Sequence, residues 1–231
     1  MPLEETDIDN ADHACGENRL ECSTPAVERK MVSLYQTIIS LIGGSKPKTI
    51  QFISARPNEG SSTIIREFAG VAAGKLGKSV LLIDANRPNL QGEAFGITPS
   101  LDFETTVTSG RPASNAITRI KNSNLHLAFL STNISAPPSI IDTPEFDGLL
   151  SELSQNFDLI LIDSPPASDA AEGLTLSPKL SGTILVVEAG STRWQVSDSV
   201  QKRVVKYGGK ILGVILNKRR NYIPAAIYSR L

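Results

Sequence analysis

The sequence has few cysteines, few aromatic residues and no long apolar run, and each shortage excludes a class of protein. Its two cysteines, Cys15 and Cys22, are too few for a disulfide framework, and their spacing is not that of a zinc site. No apolar run reaches the roughly 18 residues that a membrane-spanning helix needs. The first 25 residues lack the basic and apolar regions of a signal peptide, so we expect a cytoplasmic protein.

The charge is balanced over the whole chain but uneven along it. The 23 basic and 24 acidic residues give a net charge of −1, which argues against a nucleic-acid partner. Residues 1–25 hold seven acids and only Arg19 as a base, with little apolar pattern, and are predicted to form a disordered acidic segment. Residues 202–231 hold eight basic residues and no acid, which suits docking to an acidic partner or an anionic membrane face; the alternative is a solvated surface.

Between these ends, apolar runs typical of strands alternate with segments of helical spacing. Most of the runs are continuously hydrophobic, as in strands buried on both faces of a parallel sheet. This alternation predicts an α/β fold with a doubly wound, mostly parallel sheet and helices on both faces, in one domain over 26–217. The predicted strands are Thr49–Ser54, Ser79–Ile83, Leu125–Leu130, Phe157–Ile162, Gly182–Val187 and Lys210–Leu216, and the predicted helices are Ala26–Ile42, Ser61–Leu76, Thr143–Gln155, Ala170–Leu180 and Thr192–Tyr207. Trp194 is expected to pack at the start of the last helix.

The loop between the first predicted strand and the following helix is a candidate phosphate site. Backbone N–H groups in such a loop point at phosphate, and the helix dipole favours its charge. The pattern G-x-x-x-x-G-K-S/T is partly met: Ala55 replaces the first glycine, Gly60 is present, Ser61 replaces the lysine, and Ser62 matches the magnesium-binding hydroxyl. A purely structural turn with serine at the helix start is the alternative interpretation of this loop alone.

Two aspartates favour the phosphate interpretation. Asp84 and Asp163 each directly follow a buried strand, so both are expected at the carboxyl edge of the sheet, where an aspartate can hold magnesium or its water. Each could instead cap a turn. Three neighbouring strand ends with phosphate- or metal-compatible residues together predict a phosphate-binding site.

Three segments, 59–63, 76–84 and 157–166, resemble the bacterial tyrosine kinases of capsule and exopolysaccharide synthesis, of the CpsD and CapB type related to the cytoplasmic domain of Wzc. The resemblance extends over about residues 28–231. MinD and ParA ATPases are broader relatives, so the resemblance implies a P-loop NTPase fold of that type.

The resemblance also implies roles for individual residues. The loop would wrap the phosphates of ATP, Mg²⁺ would bind Ser62, Asp84 and Asp163, and Asp84, Arg87 and Asp163 would be catalytic. The implied nucleotide-binding residues are Asn58, Glu59, Gly60, Ser61, Ser62, Thr63 and Asn217, the last near the base. Tyr222 and Tyr228, in a basic tail over 218–231, would be phosphate acceptors; ordinary packing is the alternative.

The sequence departs from this family at three places. Ser61 cannot supply the lysine's charge, and we expect this to lower nucleotide affinity by about 10- to 100-fold. Arg56 is a candidate substitute for the lysine. Asn86 replaces the second aspartate of the Asp-x-Asp-x-Arg motif, and Arg87 stands one position before the place of the motif's arginine. The tail has only two tyrosines, so weak autophosphorylation is expected.

Three functions stay open at this point. The first is a working kinase that phosphorylates its own tail, and the second is a non-catalytic adaptor of the same machinery, which Ser61 favours. The third is a positioning ATPase of the MinD or ParA kind. For the first two, the resemblance implies a Wzz-like membrane co-polymerase on a separate chain as partner, a homo-oligomer, and a peripheral location at the inner face of the plasma membrane.

Overall fold

A seven-stranded sheet forms the centre of the protein. The computed structural model describes residues 24–43, 48–120, 122–133, 135–136, 138–169 and 171–219. The strands lie in the order β3-β4-β2-β5-β1-β6-β7, and only β3 runs antiparallel to its neighbour. Their bounds are Lys48–Ser54 (β1), Val80–Asp84 (β2), Ile117–Arg119 (β3), Leu125–Phe129 (β4), Leu159–Asp163 (β5), Gly182–Glu188 (β6) and Ile211–Asn217 (β7).

The helices cover both faces of this sheet. Two of them begin with a threonine cap followed by proline: Thr24 accepts a hydrogen bond at the start of α1 and Thr143 at the start of α5, and proline suits the first helical position. The bounds are Pro25–Ile42 (α1), Ser61–Gly74 (α2), Leu90–Phe95 (α3), Phe103–Thr108 (α4), Pro144–Asn156 (α5), Glu172–Leu176 (α6) and Trp194–Lys206 (α7). None of the helices in the described ranges is both long and apolar enough to cross a membrane.

The apolar core is divided by the sheet. On one face, Phe52 of β1 packs with Phe68 of α2 and with side chains of α1. On the other face, Ile160 of β5 packs with Phe146 of α5. The central strands β2 and β5 are buried along their whole length, which is why they appear in the sequence as unbroken hydrophobic runs.

The predicted fold class is confirmed. The errors of the sequence prediction concern short elements and the packing of Trp194. The helix predicted over 170–180 is limited to α6 and a 3₁₀ turn, Ser177–Lys179, which contains Pro178, a residue without the N–H that an α-helix uses. The short elements α3, α4 and β3 were not predicted. The prediction that Trp194 packs was wrong: it begins α7, but it is 70% exposed.

Candidate functional site

The loop between β1 and α2 leads into a helix start without a side-chain cap. Asn58 and Gly60 both have positive φ angles, 64° and 90°, and Gly60 is the N-cap residue of α2. No side chain caps this helix, so its first N–H groups point to the loop without a side-chain acceptor. Such a helix start attracts anions through its N–H groups and its dipole.

The buried carboxylate of Glu59 anchors the loop to the scaffold. It accepts hydrogen bonds from the backbone N–H of Arg56 at 2.8 Å and of Glu188 at 3.4 Å, and from the hydroxyl of Thr192. Glu59 is only 2% exposed. Because its carboxylate is engaged by these donors, Glu59 shapes the loop, and Arg56 contributes its backbone while its side chain is exposed.

The end of β7 holds the same loop from the other side. Asn217 Nδ2 donates to the backbone oxygen of Glu59 at 2.9 Å, and Lys218 Nζ donates to the backbone oxygen of Asn58 at 2.6 Å. A Cβ at position 60 would lie 2.2 Å from Asn217 Nδ2, so this position requires glycine for space as well as for its φ angle. The structure therefore places Asn217 against the loop.

Asp84 and Asp163 form a buried carboxylate pair at the carboxyl edge of the sheet. They are the last residues of β2 and β5 and are partners in the register of these strands. Both side chains are fully buried. Asp84 accepts hydrogen bonds from Asn86 N at 3.0 Å, Asn86 Nδ2 at 3.2 Å and Gln91 N at 2.7 Å. The two aspartates therefore lie together at one edge of the sheet, as the sequence predicted.

Both carboxyl groups hold their protons more tightly than ordinary aspartates do. Burial, together with the charge of Asp163, raises the pKa of Asp84 from 3.8 to about 7. Burial raises the pKa of Asp163 to about 6, although the hydrogen bond from Gln91 and the positive charge of Arg66 lower it. A cation placed beside the pair would stabilise the ionised forms of both groups.

Gln91, which the sequence did not suggest, joins three parts of the site. Its Nε2 donates to Asp163 Oδ2 at 2.7 Å and to the backbone oxygen of Ser62 at 2.9 Å, while its backbone N–H donates to Asp84. It lies in α3, a helix of six residues that is too short to give a periodic signal. No pattern in the sequence marks Gln91, so its role is visible only in the folded protein.

Arg87 takes a different place from the other predicted residues. Its guanidinium forms an ion pair with Glu172 of α6 and donates to the backbone oxygen of Ala136. Arg87 therefore ties the segment after β2 to α6.

A cavity of about 720 Å³ opens above the loop and the carboxyl edge. A second, mainly apolar cavity of about 590 Å³ lies between α1, α2 and β7. Thr63 and Lys218 line both, and Asn217 lines the second. The first is lined by Ser54, Asn58, Glu59, Gly60, Ser61, Ser62, Thr63, Arg66, Asn86, Leu90, Glu93, Ala94, Ser164, Pro166 and Lys218.

The oxygen atoms in this region suit magnesium. Asp163 Oδ1, Gln91 Oε1 and Ser61 Oγ are buried and have no hydrogen-bond partner within the part of the chain that is described. Mg²⁺ prefers oxygen ligands and is commonly held by one or two carboxylates together with substrate phosphates. In the described ranges no three His, Cys, Asp or Glu side chains cluster as a metal site, so the phosphates would have to complete the ligand set.

The predicted phosphate acceptors, Tyr222 and Tyr228, lie outside the described residues, as do most of the acidic first segment and most of the basic tail. Their predicted roles stay predictions.

Comparison with characterised proteins supports the family resemblance. No family model matches the chain. The chain is 26% identical over 179 residues to the tyrosine-protein kinase CpsD of Streptococcus agalactiae, covering 76% of this chain and 77% of that protein. It is 27% identical over 183 residues to the tyrosine-protein kinase YwqD of Bacillus subtilis, covering 75% and 73%. It is also 27% identical to the succinoglycan biosynthesis transport protein ExoP of Rhizobium meliloti, over 77% of this chain and 23% of ExoP.

Solved structures share the fold. The chimeric protein CapA2B2 matches with a TM-score of 0.73 and 20% identity, covering 84% of this chain and 85% of the other. The kinase domain of the Escherichia coli tyrosine kinase ETK matches with a TM-score of 0.75 and 17% identity, covering 85% and 78%. MinD from Aquifex aeolicus matches with a TM-score of 0.59 and 26% identity, covering 80% and 73%. These relatives confirm the predicted resemblance: the chain is a homologue of the CpsD, YwqD and CapB tyrosine-protein kinases, with the P-loop fold that they share with MinD.

Proposed function

We propose that this chain binds Mg·ATP and acts as a tyrosine kinase in capsule or exopolysaccharide biosynthesis, with phosphoryl transfer slowed by Ser61. The observation that carries the proposal is the connection of the Asp84–Asp163 pair to the uncapped start of α2: Gln91 donates to both aspartates and to the backbone oxygen of Ser62, a residue that lines the cavity. The named activities of the relatives support the same function.

The two cavities suggest how the nucleotide is held. The phosphates would lie in the first cavity against the backbone N–H groups at the start of α2, with the hydroxyls of Ser62 and Thr63 at its wall. The base would lie in the second cavity beside Asn217, since the two cavities meet at Thr63 and Lys218. This arrangement retains the role near the base that the family resemblance implies for Asn217.

The carboxylate pair would receive the metal through the partnerless Asp163 Oδ1 and the hydroxyl of Ser62. Bound Mg²⁺ neutralises charge on the transferring phosphoryl group. Asp84, the partner of Asp163 on the adjacent strand, would help to balance the metal's charge, and Gln91 would hold the Asp163 carboxylate in position through its hydrogen bond. The raised pKa values of the two aspartates describe the site without this cation.

Ser61 is the reason to expect slow transfer. Its side chain faces the cavity where the family has a lysine, and its buried hydroxyl has no partner among the described residues. A hydrogen bond from a charged donor contributes about 1.5–3 kcal/mol, so its loss corresponds to a reduction of about 10- to 100-fold in affinity. A similar or larger loss is expected for the rate of phosphoryl transfer, because positive charge at this position stabilises the charge that develops on the phosphates in the transition state.

Ser61 also supports a second candidate function, the adaptor without catalysis. In that case the chain would keep the fold and a weak nucleotide site and would act by docking. The positioning ATPase has only the fold in its favour, since the MinD structure aligns with a lower TM-score than the kinase domains do.

One relative suggests the cellular setting. The match covers 23% of ExoP, a succinoglycan biosynthesis transport protein. We place the protein at the cytoplasmic face of the membrane, as a homo-oligomer docked to a Wzz-like co-polymerase, with the basic tail from 218 onwards as the phosphate acceptor.

The test is incorporation of labelled phosphate from ATP and magnesium into the purified full chain. A kinase gives phosphotyrosine that is lost in Asp163→Asn and in the paired change Tyr222→Phe and Tyr228→Phe. Binding of ATP without any phosphotyrosine would reject the kinase and support the adaptor. Asp147→Asn, which changes an exposed aspartate on α5, is the matched control and should retain the label.

A further inference from the structure

The phosphate cavity has a positive charge at an unusual place. Among the described residues that line it, the two cationic side chains are Arg66 of α2 and Lys218, which directly follows β7. Neither occupies position 61, where the lysine of a P-loop belongs. A triphosphate with its magnesium ion still carries negative charge, so one of these side chains is needed to balance it.

Lys218 already lies on the loop that would hold the phosphates. Its Nζ is 2.6 Å from the backbone oxygen of Asn58 and 3.3 Å from Glu188 Oε2. Its backbone has a φ angle of 53°, a conformation that non-glycine residues adopt in only a few per cent of cases. The chain therefore bends at Lys218, whose side chain contacts the loop at Asn58.

The position of Lys218 is fixed by its neighbours, while its ammonium group can move. Asn217, the preceding residue, is bonded to the loop through Glu59 and pairs in register with Glu188 at the end of β6. The Lys218 side chain is 45% exposed, and a lysine has a flexible stem of four carbons. Its ammonium can exchange the Asn58 carbonyl for a phosphate oxygen in the same cavity.

Arg66 of α2 acts on the carboxylate pair. Its charge lowers the pKa of Asp163. Lys218, in contrast, stands where the two cavities meet. A cation at that junction is adjacent to the phosphate chain whichever cavity holds the base.

We propose that Lys218 binds the phosphates of the nucleotide and takes over the charge that Ser61 cannot supply. This inference rests on the proposed nucleotide site and names a phosphate-binding residue for it. The cation reaches the loop from the end of β7, 160 residues after Asn58 in the sequence. Without nucleotide, the Lys218 ammonium is held by the Asn58 carbonyl and Glu188; with nucleotide bound, phosphate oxygens would replace these contacts.

The test is a calorimetric titration of the full chain with Mg·ATP and, separately, with adenosine. Lys218→Met should weaken Mg·ATP binding by about 10- to 100-fold and leave adenosine binding unchanged, because adenosine has no phosphate. Lys218→Arg should retain most of the affinity. Lys202→Met, which removes an exposed lysine of α7 paired with Asp198, is the matched control and should bind like the unmodified chain.

Two further variants separate charge from structure. Ser61→Lys combined with Lys218→Met should recover the lost affinity, since the charge returns at its usual place. Glu188→Gln should strengthen Mg·ATP binding by releasing the ammonium. Equal affinity of Lys218→Met and the unmodified chain would overturn the role of Lys218 and leave the proposed site standing. If the unmodified chain binds no Mg·ATP, both the role and the site are rejected.

Discussion

The side-chain amide of Gln91 donates a hydrogen bond to the Asp163 carboxylate at 2.7 Å. The same amide nitrogen donates to the backbone oxygen of Ser62, and the Gln91 backbone donates to Asp84. One residue of α3 thus connects the end of β5, the start of α2 and the end of β2. Because Gln91 is completely buried, its contacts hold the carboxyl edge in one arrangement.

Removing this amide should destabilise the protein most when Asp163 is ionised. Gln91→Leu keeps the approximate volume but removes the Gln91 donor from the Asp163 carboxylate. We expect the free energy of unfolding to fall by about 1–3 kcal/mol at about pH 8. The loss should be smaller at about pH 5, where the carboxyl group, with its pKa of about 6, is mainly protonated.

Unfolding in urea at the two pH values measures this difference. Gln201→Leu is the control, because that glutamine donates only a 3.4 Å hydrogen bond along α7. Equal losses at both pH values would contradict the role given to the Asp163 charge.

The aspartate pair should make the metal-free protein less stable as the pH rises. The folded-state pKa values of about 7 for Asp84 and about 6 for Asp163 lie above their ordinary value of 3.8. The folded state therefore binds more protons than the unfolded chain above about pH 4, and this contribution to stability is lost as the pH rises through the folded values. We expect the free energy of unfolding to fall between about pH 5 and pH 8.

Asp163→Asn should reduce this dependence on pH and stabilise the metal-free protein at about pH 8. It removes one buried charge and also the repulsion that raises the pKa of Asp84. An unchanged slope in this variant, measured in urea with EDTA present, would show that other groups cause the dependence. Magnesium should reduce the slope in the unmodified chain and have little effect in the variant.

Adding a single methyl group at position 60 should disable the loop. Gly60→Ala places Cβ 2.2 Å from Asn217 Nδ2 and strains a φ angle of 90°. We expect a destabilisation of about 1–3 kcal/mol and loss of measurable Mg·ATP binding. Gly110→Ala has a similar positive φ angle, 67°, with open space around the new methyl group, so it should destabilise the fold without changing nucleotide affinity. Equal nucleotide binding by both variants would contradict the close contact.

The bond between Thr192 and Glu59 should also support the loop. Thr192→Val removes the hydroxyl that donates to the buried Glu59 carboxylate. Loss of a donor to a buried acceptor should lower the free energy of unfolding by about 1–3 kcal/mol. Thr192→Ser keeps the hydroxyl and should behave like the unmodified chain. Thermal unfolding together with Mg·ATP titration checks both effects, and identical results for the valine and serine variants would remove Thr192 from the account.

The sequence predicted those parts of the site that belong to one strand and the loop after it. The candidate loop follows β1, and Asp84 and Asp163 end the apolar runs of β2 and β5. Such strands are recognisable from their own sequence, without knowledge of the strands beside them. The order of the strands, which makes Asp84 and Asp163 partners, is set by pairing between distant segments and could only be expected in general form.

Long-range contacts account for what the sequence did not reveal. Gln91 meets Asp163 across 72 positions, Thr192 meets Glu59 across 133, and Lys218 meets Asn58 across 160. No local pattern marks such pairs. The elements α3 and β3, with six and three residues, are too short to show helical or strand periodicity, and Trp194 shows that an apolar residue at a helix start need not be buried.

Titration of the purified full chain with Mg·ATP, with Ser61→Lys measured in parallel, tests the central claim most directly. The account predicts micromolar binding by the unmodified chain, loss of binding in EDTA, and binding about 10- to 100-fold tighter in Ser61→Lys. Absence of binding in both proteins would contradict the claim that this loop and its aspartate pair form a nucleotide site.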